Sequence, residues 1–221
     1  MTDQLADVAI VYVDNHLLVL DKPAGLLSVP GRGDDKQDCL SARVQRHYPQ
    51  AGVVHRLDMA TSGLMLMARS PLAVRQLNQA FASRSVQKHY EAVVDGVLAA
   101  PSPVPADDWS EINLPIWLDW PNRPRRVIDF DKGKPSQTRW RVIANDQASA
   151  TTRLLLQPVT GRSHQLRVHL KAIGHPILGD ALYAPADVAA KAARLLLHAG
   201  RLDLLHPVSH EPLSFFSPAP F

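Results

Sequence analysis

The residues best suited to chemistry lie in the run His55-Arg-Leu-Asp-Met-Ala-Thr-Ser-Gly63. It sets one carboxylate, Asp58, two residues after Arg56 and just before a Thr-Ser-Gly turn. The turn feeds Gly63-Leu-Met-Leu-Met-Ala68, a short apolar run that reads as a buried strand. A carboxylate at the mouth of a sheet, close to a guanidinium, is kept ionised, which suits a nucleophile better than a general acid. The competing reading is structural: Asp58 caps the turn by accepting from backbone amides near Thr61. On spacing alone, the cap is the simpler of the two.

Two further clusters carry polar chemistry. In Thr160-Gly-Arg-Ser-His-Gln-Leu-Arg-Val-His169, Gly161 permits a tight turn, and Arg162, Gln165 and Arg167 follow at its exit. Arginine suits bidentate contact with a carboxylate or phosphate, although the same residues would also make a polar strand face. In Lys88-His-Tyr-Glu-Ala-Val-Val-Asp-Gly96, Tyr90 reads either as half-buried packing or as a stacking platform for a base.

Several chemistries are excluded. His164, His169 and His175 do not follow a zinc-ligand spacing and read as core or surface histidines. Gly31-Arg-Gly33 lacks the later glycine and following helix of a dinucleotide fingerprint. No Gly-Lys-Ser/Thr phosphate loop and no Gly-x-Ser-x-Gly elbow occurs. Cys39 is the single cysteine, so neither an internal disulfide nor a cysteine-rich zinc site is possible, and a reducing compartment is expected. No apolar run reaches the roughly 18–20 residues that cross a bilayer. Residues 1–8 carry Asp3 and Asp7 and no Lys or Arg, unlike a signal peptide. A cytoplasmic protein with no membrane partner is therefore expected.

The 221 residues are long enough to bury a substantial core, and 46% hydrophobic with 20% charged residues excludes disorder of the whole chain. The net charge of +3 hides an asymmetry. Residues 1–110 hold 10 basic against 12 acidic side chains, whereas residues 123–171 hold 11 basic against only Asp129, Asp131 and Asp146. A polyanionic partner or a solvated basic face would each produce this.

The elements that must position these groups follow from patterning. Residues 8–13 and 17–20 read as a hairpin around Asp14-Asn15. Asp38 can cap a short helix over 40–48. Ser70-Pro71 reads as a cap with proline at the first helical position, opening a helix to Ser83. Strands are expected over 63–68, 88–94, 127–130, 137–143, 152–157, 164–170 and 201–205. The strand at 164–170 rests on Leu166, Val168 and Leu170 alternating with Gln165, Arg167 and His169. Pro101, Pro103 and Pro105 make a stiff loop, and Pro185 opens a helix through Ala199. Many strands and few helices in mixed order predict one α+β domain around a large sheet.

The motifs together resemble the large pseudouridine synthase family, which modifies ribosomal and transfer RNA. His55-Arg-Leu-Asp58 with Thr61-Ser-Gly63 resembles its signature, and Lys22-Pro-Ala-Gly25 its first motif. Lys88-x-Tyr90 with Val94-x-Gly96 resembles the middle motif. Residues 160–167, Gly174-His-Pro-Ile-Leu-Gly-Asp180, Tyr183 and Leu196-Leu-His-Ala199 resemble the last. Ser28-Val-Pro-Gly-Arg32, Asp119-Trp-Pro-Asn-Arg-Pro124 and Gly133-Lys-Pro135 with Gln137-Thr138 are similar to a subgroup acting on both 23S rRNA and the tRNA anticodon stem-loop.

The resemblance implies a single catalytic domain over residues 1–221, built on a large mixed, mainly antiparallel sheet with flanking helices. It implies no N-terminal accessory RNA-binding domain, because Val8 already starts the catalytic region. It implies that Asp58 is the nucleophile, attacking C1′ of the ribose or C6 of the ring or generating a glycal. Arg162 would pair with Asp58, Tyr90 would stack on the uracil, and Arg56 would lie near the flipped nucleotide. His55, Thr61, Gln165 and Arg167 would complete the substrate-binding set, and Arg123, Arg125 and Arg126 would grip phosphates. The resemblance implies RNA as partner, not DNA, a monomer, and no metal, nucleotide or organic cofactor. A catalytically inactive RNA-binding or rRNA-folding module on the same fold is the alternative, but it would not need Asp58, Tyr90 and Arg162 together.

Overall fold

Asp14 closes the first hairpin, as its position between two apolar runs predicts. Its carboxylate accepts from the amides of His16 and Leu17, both at 2.7 Å, and from the Tyr12 hydroxyl, also at 2.7 Å. Burial alone would raise its pKa, but these donors outweigh it and hold the carboxyl below its ordinary value. The computed structural model describes residues 8–98 and 108–221. The stiff loop expected at Pro101, Pro103 and Pro105, and all but the last residue of 1–8, lie outside the described residues.

In chain order the strands and helices are β1 (Ala9–Val13), β2 (Leu17–Lys22), α1 (Leu40–Gln45), β3 (Gly52–Val53), β4 (Ser62–Ala68), α2 (Pro71–Ala82), β5 (Gln87–Asp95), β6 (Ser110–Asn113), β7 (Ile116–Leu118), β8 (Arg126–Ile128), β9 (Gln137–Asp146), β10 (Thr151–Pro158), α3 (Gln165–Ala172), α4 (Ala186–Ala189), β11 (Leu197–Leu205) and β12 (Pro212–Phe216). Strand pairing is mixed and mainly antiparallel and helices are few, which is the expected α+β class. The described chain divides into two compact units, residues 8–88 with 198–220, and residues 89–98 with 108–197 and 221.

The first unit carries the order β1-β2-β4-β11, with β3 paired to β4 and β12 to β11. β2 and β4 run antiparallel in register from Leu17↔Ala68 to Lys22↔Gly63, while β4 and β11 pair in parallel at Ser62↔His198 and Gly63↔Ala199. All seven residues of β4 are buried, which explains why this run shows no polar alternation. α2 begins as its sequence predicts: Ser70 Oγ accepts from Ala73 N at 3.2 Å and Pro71 follows. Its Ala73 and Leu77 pack with Leu17, Val19, Leu64, Leu66 and Leu202. In α1 the cap is Cys39, whose Sγ accepts from Ala42 N, and not the expected Asp38. Asp38 instead holds Arg43 through two hydrogen bonds of 2.8 and 2.6 Å.

The second unit is an antiparallel stack in the order β5-β10-β9-β6, with β7 and β8 forming a separate hairpin. Residues 164–170 are not a strand: α3 starts at Gln165, after His164 turns the chain with φ 58°. The false period of two arose because Gln165, Arg167 and His169 are buried like their apolar neighbours. Polarity there marks paired interior groups and not a solvated face. The helix expected from Pro185 to Ala199 stops at Ala189, and its apolar end is the buried start of β11.

Gly63 sits where β4 meets β11, with φ +111°, and an added Cβ would lie 2.4 Å from Ala199 O. Gly63→Ala is therefore expected to lower unfolding free energy by about 2–4 kcal/mol. The readout is a lower urea midpoint at unchanged slope.

Candidate active site

The backbone around Asp58 is pinned on both sides. Upstream, Leu57 N donates to Ser28 Oγ at 3.0 Å, and Ser28 Oγ donates back to Leu57 O at 2.7 Å. Downstream, Met59 O accepts from Lys22 Nζ at 3.1 Å and from Gly25 N at 2.8 Å. The Lys22 ammonium is fully buried and also donates to the carbonyls of Pro23 (2.9 Å) and Leu26 (2.8 Å). Three carbonyl oxygens thus take its three donors, which is how a buried ammonium is made tolerable. The turn itself closes through backbone, with Thr61 N donating to Asp58 O at 3.1 Å. Asp58 is half-buried and Arg56 is exposed.

His55 and Thr61, expected among the substrate contacts, are committed to the fold. The His55 ring stacks on Phe81 at 4.6 Å, and its Nε2 accepts from Leu66 N at 2.8 Å, tying the motif to β4. That bond needs a bare ring nitrogen. Burial of the ring, helped by the positive charge of Lys88, pushes its pKa down to about 3, so the ring is neutral. Thr61 is buried at the head of β4, beside Ser62, whose hydroxyl lies 2.9 Å from His198 Nδ1.

In the second unit, Tyr90 lies half-buried on β5 opposite Leu156. Arg162 is exposed on the turn before α3, its guanidinium 3.4 Å from Pro135 O. Gln165 shapes that turn from inside. Its Oε1 accepts from Thr160 Oγ1 (2.7 Å) and Arg162 N (3.0 Å), and its Nε2 donates to Gln137 O (2.9 Å) and Thr138 Oγ1 (3.0 Å). Thr138 Oγ1 lies 2.9 Å from His169 Nδ1, and the opposite ring nitrogen is 3.0 Å from Leu114 O. Burial lowers the His169 pKa, against the Leu114 bond, which raises it.

Arg167 is likewise interior. It makes a bidentate pair with Asp180, at 2.8 and 2.6 Å, with the side chains only 4% and 1% exposed. Asp180 also accepts from the amides of Leu182 (3.0 Å) and Tyr183 (3.1 Å), and Arg167 lies over the Tyr183 ring at 4.9 Å. Both Gln165 and Arg167 are therefore committed to buried partners, because an unpaired buried Asp180 or amide would be costly.

The Tyr183 hydroxyl accepts from Arg126 N at 2.8 Å and lies 2.6 Å from His164 Nδ1, so it joins the β7–β8 hairpin to the start of α3. Arg123 and Arg125 are exposed on the hairpin turn and Arg126 is half-buried at its base. Of the expected site residues, the exposed set is Arg56, Arg123, Arg125 and Arg162, with His55, Asp58, Tyr90 and Arg126 half-buried. Sequence reading assigned no role to Lys22, Ser28, Asp180 or Tyr183, although each lies in a quoted motif. Only their invisible backbone partners reveal what they do.

In the first unit Asp58 thus stands on a held backbone ahead of β4, and in the second unit Arg123, Arg125 and Arg162 are exposed on turns. Residues 16–172 match the RNA pseudouridylate synthase family model, more than half the chain, and the chain belongs to that family. It is an RNA pseudouridine synthase, an isomerase. It is 47% identical over 214 residues to the dual-specificity RNA pseudouridine synthase RluA of Escherichia coli strain K12, covering 97% of this chain and 94% of that one. The same-named protein of Pasteurella multocida is 47% identical over 220 residues, covering 100% and 96%. Among solved structures, human RNA pseudouridylate synthase domain containing 1 superposes with TM-score 0.77 at 27% identity, covering 100% of this chain and 87% of that one.

Two outcomes follow from this geometry. Lys22→Met leaves the Pro23 and Leu26 carbonyls without their donor, so the Thr61 and Gly25 amides are expected to exchange faster with solvent and turnover to fall at least about tenfold. Native-state hydrogen exchange and single-turnover kinetics check both. For His55 the folded pKa, about 3, lies below the ordinary 6.5. The unfolded chain binds the extra proton, so stability falls as pH drops from about 6.5 towards 3. His55→Gln keeps an acceptor for Leu66 N without titrating and is expected to flatten that fall, measured by urea unfolding from pH 7 to pH 4.5; His169 keeps part of the slope.

Proposed function

We propose that this enzyme isomerises loop uridines to pseudouridine in both 23S rRNA and the tRNA anticodon stem-loop, with Asp58 as nucleophile. The observation that carries this reading is the pinned Asp58 turn, embedded in a chain that aligns almost end to end with synthases named for dual specificity. The glycosidic bond to N1 breaks, the uracil rotates while still bound, and C5 bonds to the ribose carbon. The atoms of substrate and product are the same, and the proton lost from C5 is balanced by one gained at N1. Arg162 supplies the counter-charge to Asp58, Tyr90 meets the uracil ring, and Arg56 contacts the flipped nucleotide. Arg123, Arg125 and Arg126 hold phosphates. Extruding the target base costs a few kcal/mol, least in a loop.

We read the whole chain as one catalytic domain, because the family match spans residues of both compact units. A cytoplasmic monomer that binds RNA and not DNA fits these substrates.

Tritium release from uracil-C5-labelled RNA tests the assignment. Asp58→Asn is expected to abolish release from both an anticodon stem-loop and a 23S fragment, while the unaltered protein releases from both. Equal release by the two proteins would remove Asp58 from the nucleophile role, and release from only one RNA would refute the dual substrate range.

A further inference from the structure

The β7–β8 hairpin divides its side chains by face. Ile116 and Ile128 pair on the inner face and pack with Val168 and Tyr183. Trp117 and Val127 pair on the outer face and remain partly exposed. Beyond them, Trp120 is 63% exposed and Phe130 77% exposed. Aromatic side chains of this size are seldom left in water on both ends of one short hairpin without a ligand.

The hairpin is also built to hold them still. Asp119 accepts from the Asn122 side chain at 3.2 and 3.0 Å, and Arg125 and Asp119 close the turn through backbone bonds of 3.0 and 3.1 Å. Arg126 N is anchored to the Tyr183 hydroxyl. Lys134 pairs with Ile116 through two backbone bonds, at 3.0 and 2.9 Å, which adds a third strand-like segment. Past β8, Asp129 Oδ1 accepts from Asp131 N (3.0 Å) and Lys132 N (2.8 Å), so that carboxylate is occupied in its own turn.

On this frame Arg123 lies over one face of Trp120, 4.1 Å from the ring centroid. Trp120 is 63% exposed, so much of the residue stays accessible to solvent beside Arg123. Arg125 is exposed on the same turn, and Lys132 and Lys134 are exposed past β8, towards the other end of the hairpin. We propose that Trp120 stacks on an unpaired loop nucleotide of the substrate RNA, other than the target uridine, with Arg123 backing the ring and Arg125 and Lys132 neutralising its phosphates.

The inference rests on the proposed RNA substrate and adds a contact that sets which RNA loops are accepted. A duplex offers no free base face to an indole, so the occupant is single-stranded. An apolar protein partner would have to bury Arg123, Arg125 and Lys132 without counter-charges, which disfavours it. Stacking is also tolerant of base identity, because every base has a π-face. Such a contact can serve two RNAs of different sequence where edge-specific hydrogen bonds would serve one.

The test is binding of a synthetic, fluorescently labelled anticodon stem-loop RNA to the full chain, by anisotropy. Trp120→Ala is expected to weaken binding by about tenfold to a hundredfold. Trp120→Phe should retain most of the affinity. The salt dependence should keep its slope in Trp120→Ala, since no charge is removed, and become shallower in Arg125→Glu with Lys132→Glu. Replacing loop nucleotides one at a time by an abasic residue should reveal one position at which the loss no longer adds to that of Trp120→Ala. Because Trp120 is exposed, its thermal unfolding should match the unaltered protein. Affinity of Trp120→Ala within about twofold of the unaltered protein would overturn the proposal. So would an unchanged RNA affinity accompanied by lost binding to anionic vesicles. A failure of tritium release by the unaltered protein would instead strike the proposed reaction, leaving these binding results to be read independently.

Discussion

The Lys22 ammonium is the interaction on which the Asp58 turn depends. It is fully buried, and it spends its three donors on the carbonyls of Pro23, Leu26 and Met59. A lone buried ammonium would be strongly unfavourable, so the loop 23–26 and the turn at Met59 are held in the one arrangement that satisfies it. Ser28 does the same for Leu57 with a single hydroxyl that donates and accepts. Asp58 lies between these two fixed residues. Its backbone has little freedom left, and in the proposed reaction a nucleophile positioned in advance would contribute through avoided entropy loss.

The second unit uses the same device with different groups. Gln165 fills all four of its hydrogen-bonding positions inside the Arg162 turn, and Thr138 passes the network on to His169. Arg167 with Asp180 fixes Tyr183, and Tyr183 fixes both the hairpin backbone at Arg126 and the side chain of His164. The exposed arginines are therefore carried by turns whose shape is set from below by buried polar pairs. Removing one partner would strand the other, so these networks behave as all-or-none supports.

How much was legible in the sequence follows from where the physics is local. The Ser70-Pro71 helix start, the Asp14 hairpin and the apolar run of β4 each announce themselves within a few residues, and each forms as read. Residues 164–170 failed because burial of Gln165, Arg167 and His169 depends on Thr138, Asp180 and Leu114, which lie 13 to 55 residues away in the chain. Side-chain alternation cannot distinguish a polar group facing water from one facing a partner. At α1 the miss was local: adjacent Asp38 and Cys39 both can accept from the first turn, and the thiol caps it while Asp38 holds Arg43. For the site, the motifs picked out the stretches in which both exposed and interior polar residues lie. Four of the residues expected to contact substrate, His55, Thr61, Gln165 and Arg167, make interior contacts that support the fold.

That division of labour has a physical logic. A residue that touches RNA must exchange water for phosphate or base and so must be reachable, as Arg56, Arg123, Arg125 and Arg162 are. A residue that sets geometry must be unreachable, because water competing for its hydrogen bonds would let the turn relax. Arg167 and Arg162 are five positions apart in one motif and carry the same guanidinium, yet one is bound to Asp180 in the interior and the other is exposed at the head of α3. The interior arginine fixes Asp180 and Tyr183, while Gln165 sets the turn on which the exterior one stands. Replacing the interior arginine with lysine would keep the charge but lose the planar fork that satisfies both carboxylate oxygens at once. The motif therefore constrains side-chain shape at its buried positions as strictly as it constrains chemistry at its exposed ones.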